Sequence, residues 1–251
     1  MIDLYPCFEH LKKFNTIWVY SDPHFNDAEM QQLRKDYIGD DEQVKKINSK
    51  LGKKDVIIFL GDIGDLEFIK KIKAGYKILV MGNHDKGKTK YQRKIEQVKV
   101  FCSHGITKEE HQLIDLYTTN HLLGKEDKEV DVKAKEIFDK YSKIEQKDNH
   151  LFDEVYTGVI MLNDKLVLSH EPINIPFMFN IHGHDHSNWE GANDELHLNA
   201  CAEHISYTPI NLNSLVKEGK FKNVPNIHRI TIDRAINRKA KKNKGAEEPH
   251  D

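Results

Sequence analysis

Side chains that commonly bind metal ions or transfer protons are concentrated in five short segments of this chain, and each segment follows a run that reads as a β-strand. The segments are Ser21–His24, Gly61–Asp65, Gly82–Asp85, Ser169–Glu171 and Gly183–His186. Open α/β sheets hold their ligands just beyond the carboxyl ends of the strands. We therefore expect the five segments to meet in one site.

The residue types in these segments are those of a transition-metal site. Carboxylate, amide and imidazole groups are all present, and the carboxylate of Asp62 is suited to bridging two cations. Mixed imidazole and carboxylate ligation suits Mn, Fe or Zn better than Ca or Mg, and two such ions can clamp a phosphate and activate a water for in-line attack. The predicted metal ligands are Asp22, His24, Asp62, Asn83, His170, His184 and His186.

His84 follows Asn83 but is left over once the ligands are assigned. A protonated imidazole beside a phosphate stabilises transition-state charge or protonates the leaving oxygen. The neighbouring carboxylate of Asp85 is expected to hold that imidazole in its useful orientation. His84 and Asp85 are therefore the predicted catalytic residues.

Each segment taken alone also has an ordinary interpretation. Asp62 in Gly-Asp-Ile-Gly suits a plain turn, Asp22 before a proline suits a turn opening, and His184 and His186 suit exposed strand positions. The order of the five segments and their strand context together favour the metal site.

The elements that must position these residues follow from the apolar pattern. Continuous apolar runs at 16–20, 56–60 and 77–81 predict strands buried on both faces. Helical spacing between them gives the alternation of a layered α/β fold. The second half is strand-rich, and the predicted fold is two β-sheets packed as a sandwich with flanking helices. The later predicted strands are 155–162, 166–169, 179–182, 196–201 and 227–232.

We expect one phosphoesterase-type domain over residues 1–233, interrupted by a helical insertion at about 104–149. The insertion is polar, and an apolar stripe that includes Val130, Ala134 and Ile144 predicts helix. An ordinary pair of surface helices is the alternative. Residues 234–251 are highly charged and predict a flexible tail.

The motifs Asp-x-His, Gly-Asp, Gly-Asn-His-Asp, a lone His and Gly-His-x-His, in this order from Trp18 to His186, resemble the calcineurin-like metallophosphoesterases, especially small bacterial and phage members. The resemblance implies a β-sandwich with flanking helices, a dinuclear centre and His84 as the catalytic histidine. Two features depart from small members: Asn26-Asp27, where they often have Gly-His, and the long 103–149 segment. The implied ligands are Asp22, His24, Asp62 and His186 for one ion, and Asp62, Asn83, His170 and His184 for the other.

Composition is consistent with this assignment. The net charge of −2 gives no general attraction to nucleic acid or anionic membrane. No apolar run approaches the ~20 residues that span a bilayer, and residues 1–14 carry too many charges for a signal peptide. Three scattered cysteines favour a reducing compartment, so we expect a cytoplasmic protein without a membrane partner.

The expected function is hydrolysis of phosphomonoesters or phosphodiesters, nucleotides included, with two divalent ions: manganese first, with iron, zinc or nickel as alternatives. A nuclease is the second hypothesis, because ten Lys and Arg lie between 217 and 244, although a solvated tail is the more common explanation of such a stretch. A non-catalytic binding scaffold on the same fold is a remote third. The oligomeric state is left open.

Overall fold

A computed structural model describes residues 2–34, 36–85, 91, 94–101, 104–187, 193–225 and 231–238. The chain forms two compact units: residues 1–92 together with 150–251, and residues 93–149. All five motif segments belong to the first unit.

The secondary structure alternates strands and helices in the first half and is richer in strands after residue 150. The strands, in chain order, are β1 (Ile17–Tyr20), β2 (Val56–Phe59), β3 (Tyr76–Val80), β4 (Lys94–Phe101), β5 (Ser142–Asn149), β6 (Glu154–Tyr156), β7 (Ile160–Met161), β8 (Leu166–Leu168), β9 (Phe179–His182), β10 (His197–Asn199) and β11 (Ile210–Asn211). The helices are a 3-10 helix (Pro6–Lys13), α1 (Ala28–Leu33), α2 (Asp40–Lys50), α3 (Glu67–Lys70), α4 (Lys108–Leu122), α5 (Lys128–Lys140) and α6 (Leu212–Lys217).

The first unit contains two sheets. One has the strand order β11-β1-β2-β3-β6, in which β1, β2, β3 and β6 run parallel and β11 is antiparallel to β1. The other has the order β10-β9-β8-β7, with β7 antiparallel to β8. The carboxyl ends of β1, β2 and β3 therefore meet at one edge, where the first three motif segments begin.

Alternate residues of β2 face two different hydrophobic cores. Val56 and Ile58 pack in a cluster that also holds Leu168 and Ile181 from the second sheet. Ile57 and Phe59 pack on the opposite face in a second cluster, which includes residues of α2 and α3. The apolar runs are thus buried on both faces, and the predicted sandwich with flanking helices is confirmed.

The second unit is built from α4, α5 and the antiparallel pair β4–β5. Helix α4 begins with a capping box between Thr107 and Glu110, and α5 buries Val130, Ala134 and Ile137. Ile144, which the apolar stripe placed on a helix, lies in β5 instead. That assignment was wrong because α5 ends at Lys140 and the chain continues as a strand.

The segment 227–232 was predicted as a strand. Residues 226–230 lie outside the described part of the chain, while Thr231 and Ile232 belong to a helix at 231–238, so the strand prediction is wrong for these two. Ile232 and Ile236 have helical i, i+4 spacing. Residues 239–251 of the predicted tail also lie outside the described residues.

Within the described ranges, no helix is both long enough and apolar enough to cross a membrane.

Candidate metal centre

The loops after the strands hold several predicted ligands in an unusual backbone conformation. Asp22, His24, Asp62 and His184 have φ values of 52°, 45°, 50° and 68°. This left-handed region costs a non-glycine residue on the order of 1–3 kcal/mol, and such residues cluster at functional sites. The loop conformations therefore support a role for these side chains beyond packing.

The first group of ligand atoms comes from Asp22, His24 and His186, whose donor atoms lie within 4.8 Å of one another. Asp22 Oδ1 is 3.4 Å from His186 Nε2 and 3.8 Å from His24 Nε2. The side chain of Asp22 is fully buried, yet Oδ1 has no hydrogen-bond partner among the described residues. A buried anionic oxygen without a donor fits a bound cation.

The other carboxylate oxygen of Asp22 is saturated. Oδ2 accepts hydrogen bonds from the hydroxyl of Ser21, from the backbone N–H of His184 at 2.9 Å and from the thiol of Cys201 at 3.4 Å. These donors fix the carboxylate so that Oδ1 faces the two imidazoles.

The second group comes from Asp62, His170 and His184, again within 4.8 Å. His170 Nε2 lies 3.1 Å from His184 Nδ1 and 2.7 Å from the side-chain oxygen of Asn83. His184 Nδ1 is also 3.1 Å from that oxygen. The other nitrogen of His170 is bound to the carbonyl of Leu60 at 2.7 Å, which turns Nε2 toward the group.

Asp62 connects the two groups through one atom. Its Oδ2 lies 3.6 Å from His24 Nε2 in the first group and 3.4 Å from His170 Nε2 in the second. Its Oδ1 accepts the backbone N–H of His84 at 2.9 Å. The structure thus brings together all seven predicted ligands in one place.

Burial and neighbouring charges shift the pKa values of the candidate ligands in different directions. Burial raises the pKa of Asp22, but the contact of its Oδ1 with His186 and the charge of the nearby imidazoles outweigh burial and hold that pKa well below its usual range. Burial lowers the pKa of His186, whereas its contact with Asp22 and its hydrogen bond to Glu203 raise that pKa to about 9. For Asp62 burial prevails and raises the pKa, and for His24 burial lowers it. Positive charge is thus favoured next to Asp22.

The family model of the calcineurin-like phosphoesterases matches residues 15–202, which include all five motif segments. The chain belongs to the calcineurin-like phosphoesterase family. This membership indicates metal-dependent hydrolysis of phosphate esters, and the two groups of Asp and His side chains supply candidate metal ligands.

A search of curated proteins finds no match to this calcineurin-like phosphoesterase. Among solved structures, the chain is similar to AQ665, a protein of unknown function from Aquifex aeolicus. The two are 22% identical with a TM-score of 0.47, over 80% of this chain and 98% of the other.

Asp85 has a different role from the one expected. Its Oδ2 accepts the backbone N–H groups of Asp62 and Gly82 at 2.8 and 2.9 Å, and its Oδ1 accepts that of Ile63 at 3.2 Å and the hydroxyl of Tyr91 at 3.1 Å. The carboxylate is buried and committed to these donors. The expectation that Asp85 orients the imidazole of His84 is corrected: the Asp85 carboxylate fixes the loops that carry the candidate ligands.

His84 itself is exposed, and its ring centroid is 5.5 Å from that of His24.

Three residues outside the predicted set contact the ligands. Asp27 lies 2.9 Å from His24 Nδ1, Glu203 binds His186 Nδ1, and Arg34 donates to the carbonyl groups of the first motif loop. The contact between Asp27 and His24 has a sequence signal, because Asp27 lies only three residues after His24. Nothing in the sequence pattern marks Arg34 or Glu203, because their contacts depend on tertiary packing.

Two cavities adjoin the ligand groups within the first unit. One of about 280 Å³ includes Asn83 and His170 in its lining. The other, of about 600 Å³, includes His186 and Glu203. Each ligand group therefore has space beside it for the organic part of a substrate.

Proposed function

We propose that this protein is a dinuclear metal-dependent phosphoesterase that hydrolyses phosphomonoesters or phosphodiesters. The observation that supports this most directly is the position of Asp62 Oδ2, 3.6 Å from His24 Nε2 and 3.4 Å from His170 Nε2. One carboxylate oxygen that faces ligands of two groups is suited to bridge two ions.

The donor set fits transition-metal ions, with manganese as our first choice, because imidazole and carboxylate groups are mixed in both groups. The buried, unpartnered Oδ1 of Asp22 supports the same view. Two bound ions would polarise the phosphate and lower the pKa of the attacking water. The proposed ligands are Asp22, His24, Asp62 and His186 for the first ion and Asp62, Asn83, His170 and His184 for the second.

His84 is the proposed proton donor to the leaving oxygen, or a stabiliser of the negative charge that develops in the transition state. Its backbone N–H donates to Asp62 Oδ1, so the backbone of His84 is held next to the proposed bridging residue. The side chain is exposed next to His24, where an entering substrate can meet it.

The two cavities are consistent with substrates that carry an organic group on one or both sides of the phosphate. Purified protein should be stripped of metal, reloaded with Mn²⁺ and assayed with a nitrophenyl monoester, a bis-nitrophenyl diester, cyclic nucleotides and single-stranded DNA. We expect turnover of a small ester only with metal present, and two ions per chain by elemental analysis. Full turnover by the stripped protein would contradict the proposal, and preferential cleavage of DNA would favour the nuclease alternative.

A further inference from the structure

Glu203 is attached to the first ligand group through the ring of His186. Oε1 of Glu203 binds His186 Nδ1, while Nε2 of the same ring faces Asp22 Oδ1 at 3.4 Å. The two nitrogens lie on different sides of an imidazole, so this bond fixes which one is presented to an ion. The segment that carries Glu203 is tied to the end of β1, because the N–H of Ala202 donates to the carbonyl of Ser21 at 3.0 Å.

Arg34 joins Glu203 to the loop that carries the other two ligands of this group. Its side chain is only 2% exposed, and its Nε lies 3.3 Å from Glu203 Oε2. Its Nη2 donates to the carbonyl of Asp22 and its Nη1 to that of Pro23 at 3.1 Å. One guanidinium therefore contacts both the partner of His186 and the backbone between Asp22 and His24.

That backbone needs support. Asp22 and His24 are both left-handed, with φ of 52° and 45°, and such a conformation persists only where its surroundings over-determine it. Gln43 adds a second donor to the carbonyl of Pro23 at 3.2 Å, while Arg34 contacts both the backbone of this loop and Glu203.

The second ligand group is supported differently. His170 is oriented by the backbone carbonyl of Leu60, and no contact described for this group involves Arg34 or Glu203. Any change to the Arg34–Glu203 pair should therefore act on one group and spare the other.

We propose that Arg34 and Glu203 form a positioning pair that sets the metal affinity of the Asp22–His24–His186 group selectively, by holding His186 and the first motif loop in place. This inference rests on the proposed dinuclear function. Loss of a hydrogen-bonding partner behind a metal ligand typically costs about 10–100-fold in metal affinity, and lysine cannot replace the guanidinium here because it lacks the planar fork that spans several acceptors.

The test is a Mn²⁺ titration of the full chain, with free Mn²⁺ counted by electron paramagnetic resonance. For Glu203→Gln and Arg34→Lys we expect one of two binding steps to weaken about 10–100-fold and the other to stay within about twofold. His170→Ala removes a candidate ligand of the second group, and the Mn²⁺-binding step that remains should weaken when Glu203→Gln is added. His24→Ala removes a candidate ligand of the first group, and the step that remains should not weaken when Glu203→Gln is added. Excess Mn²⁺ should restore kcat in the single variants.

A matched control is the exposed ion pair between Lys71 and Asp41, 2.8 Å apart. Asp41→Asn removes a similar pair away from the ligands and should leave both binding steps unchanged. Thermal unfolding of the metal-free proteins separates positioning from folding, and Arg34→Lys is a second probe if Glu203→Gln does not fold.

If wild-type protein binds two ions and the variants weaken both binding steps equally, or weaken neither step, the positioning role is overturned and the proposed function still stands. Wild-type protein that binds fewer than two ions would overturn both.

Discussion

The backbone N–H of Asp62 donates to the carboxylate of Asp85 at 2.8 Å. Asp62, whose Oδ2 faces both ligand groups, is thus held in place by the buried carboxylate of Asp85. The same carboxylate also accepts the N–H of Gly82, so the loops after β2 and β3 are joined through one side chain. Asp85 sets the spacing between two motif segments.

Asp85→Ala is expected to destabilise the protein even without metal. The change leaves the N–H groups of Asp62, Ile63 and Gly82 without their acceptor, and a buried unsatisfied donor costs about 1–3 kcal/mol. We expect the free energy of unfolding in urea to fall by about 2–5 kcal/mol, with allowance for relaxation. A variant of wild-type stability with a large loss of kcat would instead indicate that Asp85 acts on His84.

Asp62→Asn should abolish turnover and weaken the binding of both ions. A neutral amide replaces the charge that serves both groups, and its NH₂ group is a poor metal ligand. The fold should survive, because Asp62 lies beyond the end of β2 and outside both hydrophobic cores. Circular dichroism checks the fold and elemental analysis the metal content. Hydrolysis at the wild-type rate would exclude Asp62 as the bridge.

The sandwich was predictable because the apolar runs that form β1, β2 and β3 are buried on both faces, and burial on both faces leaves a continuous apolar signature in sequence. The proximity of the candidate ligands was predictable for a related reason: each follows directly after such a run. Arg34 and Glu203 follow no run of this kind. They reach the site only because the residue that follows α1 and the segment after β10 contact the first motif loop, and no local pattern encodes those contacts.

The errors in the secondary-structure prediction have local causes. β5 is a polar sequence, Ser142–Asn149, that pairs with β4 in the second unit, and a polar strand lacks the apolar signal that identifies buried ones. Ile232 lies in a β-branched stretch that favours strand by propensity, yet it is helical in the structure. β-propensity alone is therefore a weak guide to the structure of a short segment.

Gly183→Ala tests how closely the last motif packs against the first. A Cβ at this position would lie 1.9 Å from Ser21 Oγ and 2.1 Å from Asp22 Oδ2, so the fixed carboxylate must move. We expect a loss of about 1–3 kcal/mol in the free energy of unfolding, as for overpacked sites, together with weaker Mn²⁺ binding.

Gly158→Ala is the matched control, since a Cβ there meets nothing within 4 Å. Its stability should stay within about 0.5 kcal/mol of wild type, with unchanged Mn²⁺ binding. Equal behaviour of the two alanine variants in both measurements would show that the contact between Gly183 and Asp22 has no influence on the site.

Proton transfer and metal binding can be separated experimentally at His84. The imidazole is exposed and lies outside both ligand groups, and its backbone N–H, which is bound to Asp62, is unaffected by side-chain replacement. His84→Asn should therefore leave metal content and unfolding free energy unchanged. Any loss of rate then reports on chemistry alone.

The loss should depend on the leaving group. General-acid assistance contributes about 10²–10⁴-fold and is needed least when the leaving group departs easily as an anion. His84→Asn should consequently slow an alkyl ester much more than a nitrophenyl ester, with both rates measured in wild type and variant and metal occupancy determined in the same samples. An equal loss on both esters at full metal occupancy would indicate that His84 stabilises phosphate charge rather than donating the proton. An equal loss accompanied by loss of metal would make it a ligand or a structural residue.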